Sequence, residues 1–362
     1  IGKSEPSRVA GAIEPLADAL GDEDKYVRKN TARALRDIGR SDPSLVTDAG
    51  EQLAQTLDDD YGTARESATE ALEPIVESDP ASLADAIDPL VDALDDENDD
   101  VRQNSARVLR DLAQSEPALL TDAVDSLAEV LTSHDDYVIR GHVAEALGGI
   151  GAEDPSLVAD TVDQLCAAID DDSPSVSREA ARALGRTGST DHRVVTDAVE
   201  PLVDALGASD AKTRRNAAEA LGRIRSSAPS TVADSTDTLR QALNDEASGV
   251  RAQAAQTLGT VGALDVSAVA GAVEPLAENL DDDAAEVRAR SATALGKIGG
   301  VDPSMVADVA VNGGPVLDTV GDADRETGSA VDSLVATLGD EHPEVRARAA
   351  QAVERIGRTD PS

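Results

Sequence analysis

Apolar residues recur at helical spacing in two kinds of segment that alternate along the chain. In the first kind, here called segment A, the stretch DAVEPLVDALG at 197–207 places Val199, Leu202, Val203 and Leu206 on one face of a predicted helix. A short turn rich in Asp, Glu or Ser follows. Segment A therefore predicts an amphipathic helix whose apolar face packs against a core.

The second kind, segment B, follows that turn. The stretch VRARSATALGKIGGVDPS at 287–304 places Val287, Ala294, Leu295 and Ile298 on one helical face, with a glycine after them. Glycine is frequent where a helix ends, and Asp-Pro-Ser is typical of the start of a new element. Segments A and B thus predict a pair of antiparallel helices.

The pair repeats at a fixed period. One leucine of segment B, here called the central leucine, recurs every 37 residues with one step of 38, and Val353 follows after a step of 58: Leu35, Leu72, Leu109, Leu147, Leu184, Leu221, Leu258 and Leu295. A single pair cannot bury its own apolar faces, but stacked pairs can. We therefore expect an all-α fold, an α-solenoid of about nine two-helix repeats in a curved superhelix.

The repeats begin near residues 6, 43, 80, 117, 155, 192, 229, 266 and 303, so 1–362 is expected to be a single continuous array. An insertion at about 312–329 interrupts the ninth repeat, and we leave open whether it is a binding loop or a tolerated surface loop. Ile1 and Gly2 match the end of a segment B, and 360–362 would begin another repeat. We expect the chain to be an excerpt of a longer protein.

Composition indicates which residues form the core and what kind of solvent the protein is adapted to. The chain has no Phe or Trp and only three Tyr, so Ala, Leu, Val and Ile must form the core. The net charge is −39, and only 5 of the 32 basic residues are Lys. A folded chain this acidic is typical of an extreme halophile, because molar salt shortens the Debye length to roughly 3 Å and screens like charges. Attraction to a cationic partner is the alternative.

These repeats resemble HEAT repeats, particularly the short type found in phycobilisome-lyase HEAT-like proteins. The resemblance covers the whole chain and rests on the turn Asp, the Val-Arg pair, the Ala-Leu-Gly of segment B, and the proline of segment A at Pro15, Pro89, Pro201 and Pro275. It implies that B helices line a concave groove. It also implies a ladder of Asp–Arg bonds between neighbouring repeats.

Two polar columns would supply that ladder. An Asp stands thirteen residues before the central position and an Arg seven before it: Asp22, Asp59, Asp96, Asp171, Asp245, Asp282 and Asp340, with Arg28, Arg65, Arg102, Arg140, Arg214, Arg251, Arg288 and Arg346. Because they recur in almost every repeat, we interpret them as structural rather than catalytic. Ser177 and Ala208 replace an Arg and an Asp in adjacent repeats, which suggests that each Arg reaches the Asp of the following repeat. His134 replaces a third Asp.

Basic residues concentrate in segment B and predict a candidate groove for an anionic or polar partner: Arg178, Arg182, Arg186, Lys212, Arg215, Arg223, Arg290, Lys297, Arg348 and Arg355. The alternative is pairing within one helix, such as Arg178 with Glu179 or Arg215 with Glu219.

Motifs for catalysis or cofactors are missing from the sequence. Four histidines lie at different phases of the repeat, Cys166 stands alone, and no phosphate-binding loop or nucleophile motif occurs. We therefore predict no enzyme activity, no metal and no cofactor. A chromophore pocket of the bilin-lyase kind is disfavoured because Phe and Trp are absent.

Function is expected to be a non-enzymatic scaffold that binds another protein in the groove. The alternative is a regulatory or substrate-holding arm of an enzyme encoded elsewhere in the polypeptide. A nucleic-acid clamp ranks behind both, because the chain is acidic and has almost no aromatic residues for base stacking. No apolar run long enough for a membrane span and no signal-peptide pattern occurs, so a cytoplasmic location is expected.

Overall fold

The B segments form the longer helices of the protein. The computed structural model describes residues 10–227, 235–307, 310–312 and 327–359. Each B segment is one α-helix: α2 (Lys25–Gly39), α4 (Gly62–Ser78), α6 (Asp99–Ser115), α8 (Tyr137–Glu153), α10 (Pro174–Thr190), α12 (Ala211–Ser227), α14 (Ser248–Gly262), α16 (Ala285–Gly299) and α19 (Pro343–Thr359). All eight central leucines are at most 1 % exposed, so the repeating apolar position is the core position.

The A segments form shorter helices. They are α1 (Ile13–Ala19), α3 (Gly50–Gln55), α5 (Ile87–Asp92), α7 (Val124–Ser133), α9 (Val162–Ala167), α11 (Val199–Asp204), α13 (Thr236–Ala242), α15 (Val273–Glu278) and α18 (Ala330–Thr337). The single helix predicted over 197–207 is instead a 3-10 turn, α11 and a second 3-10 turn. The backbone N–H groups of Ala198 and Ala208 donate to carbonyls three residues earlier, which tightens both ends of this short helix.

The ninth repeat carries the one β-ladder of the described residues. After α17 (Ser304–Ala307), strands β1 (Ala310–Asn312) and β2 (Thr327–Ser329) pair antiparallel, with Val311 opposite Gly328. The Ser329 hydroxyl and the Asp332 carboxylate then cap the start of α18 reciprocally. Most of the predicted insertion at 312–329 lies outside the described residues.

Glycines let neighbouring B helices approach closely. In repeats four to eight the residue after the central leucine is glycine, and a Cβ added to Gly259 would lie 2.6 Å from the Cα of Ala294. Gly148, Gly185 and Gly296 meet Ala183, Ala220 and Ala352 in the same way. The backbones therefore pack with no room for a methyl group between them.

The glycines at the ends of B helices also serve packing. Gly262 is the last residue of α14, and a Cβ there would lie 2.5 Å from Ile298 Cγ1 and 2.8 Å from Val269 Cγ2. Gly299 meets Ile356 and Val306 in the same arrangement. The sequence marks the helix end correctly, but the structural demand is close contact with the next repeat.

The chain divides into two compact units, residues 1–183 and 184–362. In the first unit α2, α4, α6 and α8 pack side by side as one layer, and in the second unit α12, α14, α16 and α19 do the same, with A helices against them. This arrangement confirms the predicted all-α solenoid of two-helix repeats. That all nine repeats form one continuous array stays a prediction.

Candidate functional site

A ladder of ion pairs joins successive repeats within each unit. In each rung, Nε and Nη2 of an Arg donate to both carboxylate oxygens of the Asp one repeat further along. The Nε–Oδ2 and Nη2–Oδ1 distances are 2.7 and 2.9 Å for Arg140–Asp171 and for Arg214–Asp245, and 2.7 and 2.8 Å for Arg251–Asp282. Arg28–Asp59, Arg65–Asp96 and Arg288–Asp340 have the same form.

Each ladder residue also fixes its own turn. Arg65 Nη1 donates to the carbonyl of Asp59 at 2.7 Å, and Asp96 Oδ1 accepts the backbone N–H of Asn98 at 2.7 Å. One guanidinium therefore ties the A–B turn of its own repeat to the turn of the next. Such planar, two-pronged pairing is the geometry for which Arg is suited and Lys is not.

The pairing keeps the ladder carboxylates ionised. Burial alone would raise the pKa of Asp96, but hydrogen bonds from Arg65 and from the Asn98 backbone outweigh it, so the pKa lies below its usual value. Asp171, Asp245 and Asp282 show the same direction for the same reasons. Each of these carboxylates accepts from a guanidinium and from a backbone N–H, which fits a structural role.

Three positions depart from the ladder pattern: His134, Ser177 and Ala208, whose backbone carbonyl accepts from Arg214 Nη1 at 2.9 Å. His134 stands where an Asp would accept from Arg102; its Nδ1 accepts the Asp136 N–H at 2.9 Å and its Nε2 lies 3.1 Å from the Leu94 carbonyl. Arg102 instead donates to Asp99 and to the Asp96 carbonyl. Ser177 replaces a ladder Arg, and its hydroxyl donates to the Asp171 carbonyl at 3.0 Å, which preserves the tie to its own turn.

Asp22 and Arg346 are the first Asp and the last Arg of the ladder columns. Asp22 accepts the backbone N–H of Asp24 at 2.8 Å, and Arg28 donates to its carbonyl. Arg346 donates to the carbonyls of Asp340 and Glu341. Both therefore hold their own turns, as the interior members do.

A cleft lies on the B helices of the second unit. It has a volume of about 620 Å³ and runs over α14, α16 and α19; its walls include Gln256, Ala289, Arg290, Thr293, Lys297, His342 and Arg348. We call it the B-face cleft. It brings together three of the ten basic residues that the sequence predicted for a groove: Arg290, Lys297 and Arg348.

The charges of the B-face cleft are unevenly distributed. At one end Arg290 lies 3.7 Å from Glu286, and Arg348 lies 3.6 Å from Glu344, each pair one turn apart on its own helix. At the other end Lys297 Nζ donates to the Thr260 hydroxyl at 3.2 Å, and no carboxylate of the described residues lies within ion-pair distance of it. Burial, Arg355 and Arg290 lower the pKa of Lys297 below its usual value.

The remaining predicted groove residues lie on other B helices. On α10, Arg178 and Arg182 both pair with Glu179, at 3.3 and 2.8 Å. On α12, Arg223 pairs with Glu219 at 2.6 Å, whereas the sequence alternative paired Glu219 with Arg215. Within the parts of the chain that the structure describes, Arg186, Lys212, Arg215 and Arg355 form no ion pair. Pairing within one helix thus accounts for some of the basic residues and not for others.

The B helices of the first unit carry a different pattern. Ion pairs between adjacent B helices cross this surface: Arg36 with Glu70, Arg107 with Glu73, and Arg110 with Glu145 at 3.9 Å. Opposite charges on neighbouring helices are therefore paired at these positions.

Sequence reasoning missed the polar residues that line the cleft without charge. Gln256 and Thr293 occupy the same position, two residues before the central leucine, in successive repeats. Comparing each helical column across the repeats could have found them. The groove predicted from the sequence contains only basic residues, because charge can be read from a sequence without a structure.

Among the described residues, no three or more His, Cys, Asp or Glu side chains are grouped so as to hold a metal ion. Within those same ranges, no helix is both long enough and apolar enough to cross a membrane.

Stacked two-helix repeats, bonded turn to turn by an Asp–Arg ladder and packed through glycine, define an α-solenoid repeat protein. The model of the HEAT-repeat family matches residues 5–73, 87–159, 124–198, 162–235 and 199–296. The chain belongs to the HEAT-repeat family, whose members generally mediate protein interactions and are generally not catalytic.

Solved structures of engineered proteins resemble the chain over much of its length. One crystal structure from the Northeast Structural Genomics Consortium has 26% sequence identity and a TM-score of 0.68, covering 98% of this chain and 91% of its own. A second from the same consortium has 29% identity and a TM-score of 0.51, covering 59% of this chain and 98% of its own. No curated protein matches the chain.

Proposed function

We propose that this chain is a non-enzymatic scaffold that holds a partner protein against the B helices of its second unit, at the B-face cleft. One observation carries the proposal: Lys297 is half-buried in the wall of a cleft of about 620 Å³ and has no carboxylate beside it in the described residues. A cation kept from water without an opposite charge is costly for the free protein. A partner that supplies polar or anionic groups removes that cost.

The binding is expected to be broad and of modest affinity. Hot spots of protein interfaces are enriched in Trp, Tyr and Arg. This chain has no Trp or Phe, and its B-face cleft is walled by Arg, Gln, Thr and Ala. Affinity must therefore come from several polar contacts and from the small apolar surface between them, and not from one aromatic anchor.

A second candidate uses the same surface. The chain would be the regulatory or substrate-holding arm of an enzyme encoded elsewhere in the polypeptide, and the open, solvent-accessible cleft supports it equally. A catalytic segment in the full-length protein would favour this candidate. A nucleic-acid clamp and a bilin-lyase-like function rank behind, because the net charge is −39 and aromatic residues make up 1% of the chain.

The proposal includes the cellular setting. The acidic, Lys-poor composition supports a cytoplasm with molar salt, as in an extreme halophile. In such salt, exposed ion pairs are strongly screened, whereas half-buried charges such as Lys297 are screened less. The half-buried end of the cleft would then contribute more to binding than the exposed basic residues.

Site-specific photo-crosslinking tests the proposal. A benzophenone amino acid placed at Thr293, in the cleft, is compared with one placed at Glu278, which is exposed on α15. The proposal predicts that one defined protein crosslinks at position 293 and not at position 278. Crosslinks at position 278 alone, or at neither position, would contradict it.

A further inference from the structure

At one position of the B helices, the charge of the side chain changes sign between the two units. It lies two residues after the central leucine. In the first unit its members are Asp37, Pro74, Asp111 and Gly149; in the second they are Arg186, Arg223, Thr260, Lys297 and Arg355. The surface of the second unit therefore carries a row of cations at this column, interrupted at Thr260. No such row exists in the first unit.

The last cations of the row reach back toward the preceding helix. Lys297 Nζ, on α16, bonds to the hydroxyl of Thr260 on α14. The aliphatic part of the Arg355 side chain, on α19, packs against Gly300 at the end of α16. A Cβ added to Gly300 would lie 2.6 Å from Arg355 Cγ. Lys297 lines the B-face cleft, and Arg355 lies near it on the next B helix, outside the cleft wall.

This end of the cleft lacks compensating charge. Lys297 and Arg355 form no ion pair among the described residues, and after burial Arg355 is the next cause of the lowered pKa of Lys297. The nearby carboxylates Glu286 and Glu344 lie beside Arg290 and Arg348 at the opposite end. Within the described part of the chain, Lys297 and Arg355 are therefore two neighbouring cations with no carboxylate at ion-pair distance.

We infer that Lys297, at one end of the B-face cleft, and the neighbouring Arg355 together bind the carboxylates of an extended, acidic segment of the partner protein. The inference rests on the proposed function and specifies the chemistry of the partner. Neighbouring helices are about 8–10 Å apart, and an extended chain advances about 3.3 Å per residue. Carboxylates three residues apart therefore meet cations on successive B helices.

A peptide suits this surface better than a nucleic acid does. Glu286 and Glu344 stand within the same cleft as Arg290 and Arg348, so a strand with a phosphate at every step would place some phosphates against carboxylates. An acidic peptide can put neutral residues there and carboxylates only beside Lys297 and Arg355. Charge complementarity of this kind selects the partner more than it raises affinity.

Peptide binding to purified variants tests the inference. The probe is a fluorescent nine-residue peptide with Glu at positions one, four and seven and Ser elsewhere, and its control has Gln in place of Glu. The proteins are the unmodified chain, the double variant Lys297→Gln/Arg355→Gln, and Arg240→Gln, which removes one cation from the A helix α13. Thermal melts confirm that each variant is folded.

The expected result is that the Glu peptide binds, that the double variant weakens binding by about tenfold or more, and that Arg240→Gln changes it by less than about twofold. Equal binding of the Glu and Gln peptides, an unaffected double variant, or tighter binding of a single-stranded oligonucleotide than of the Glu peptide would overturn the inference. A crosslink at position 293 that persists in the double variant would overturn it too, while leaving the proposed function standing.

Discussion

Arg65 and Asp96 lie 31 residues apart and form a two-pronged ion pair between successive repeats, with Nε–Oδ2 and Nη2–Oδ1 distances of 2.6 and 2.8 Å. Their side chains are only 10% and 9% exposed. The same Arg also bonds the carbonyl of Asp59, and the same Asp caps the next turn. One pair of side chains therefore fixes the position of two turns.

Asp96→Asn is expected to lower the free energy of unfolding by about 2–3 kcal/mol at neutral pH, because Arg65 keeps its charge and loses its carboxylate. Denaturant unfolding followed by circular dichroism measures the change. Asp85→Asn, at an exposed position of the same repeat, is the control and should alter stability by less than about 0.5 kcal/mol.

The stability difference between the unmodified chain and Asp96→Asn should depend on pH. The folded pKa of Asp96 lies below its usual value of about 3.9. Its contribution is therefore fully present above that usual value and is lost as the pH falls through the lower folded value. Melts from pH 7 down to pH 2 should show the difference shrinking below about pH 4; a constant difference would mean that ionisation of Asp96 is not involved.

His134→Asp is expected to build a rung that the chain lacks. Arg102 already donates to the Asp96 carbonyl at 2.6 Å, as the other ladder arginines do to their own turns. A carboxylate at 134 could accept from Arg102 and also replace His134 Nδ1 as acceptor for the Asp136 N–H. Stability should rise by about 1 kcal/mol, and a loss of stability would show that the histidine's contact with the Leu94 carbonyl matters more.

Gly259→Ala tests the close approach of B helices. Alanine favours a helix over glycine by about 1 kcal/mol, yet its Cβ would meet Ala294 Cα at 2.6 Å. We expect a net loss of about 1–3 kcal/mol from the clash. Gly357→Ala, in α19, is the matched control and should be neutral or stabilising, because no described residue lies within 4 Å of the added Cβ.

Ser291→Ala is expected to stabilise the protein by about 1 kcal/mol. The Ser291 hydroxyl is completely buried and has no hydrogen-bond partner in the described residues. Alanine occupies the same helical column at Ala68, Ala180, Ala217, Ala254 and Ala349, so the site accepts it sterically. A melting temperature that falls in this variant would show that the Ser291 hydroxyl has a hydrogen-bond partner.

Much of the fold could be predicted from the sequence because every repeat restates it. The central leucines gave the period, and the adjacent replacements Ser177 and Ala208 suggested that a ladder Arg reaches the following repeat, the direction in which Arg65 meets Asp96. The breakup of segment A into 3-10 turns around α11 was not predicted, since helical spacing alone does not distinguish tightened ends from a longer α-helix.

The B-face cleft was predictable only in part. Arg290, Lys297 and Arg348 were found because charge is legible in the sequence, whereas the difference between them depends on contacts. Glu286 pairs with Arg290 and Glu344 pairs with Arg348, whereas Lys297 bonds Thr260 and has no carboxylate partner among the described residues. Which basic residue stays available to a partner is a property of neighbouring helices, and no single repeat encodes it.

The most direct test of the central claim is the yield of the partner crosslinked through position 293, measured in the unmodified chain and in Lys297→Gln/Arg355→Gln. If the cleft holds an acidic segment of a partner, the yield should fall by about tenfold in the double variant. It should remain unchanged in Arg240→Gln. An equal yield in all three proteins would contradict the account.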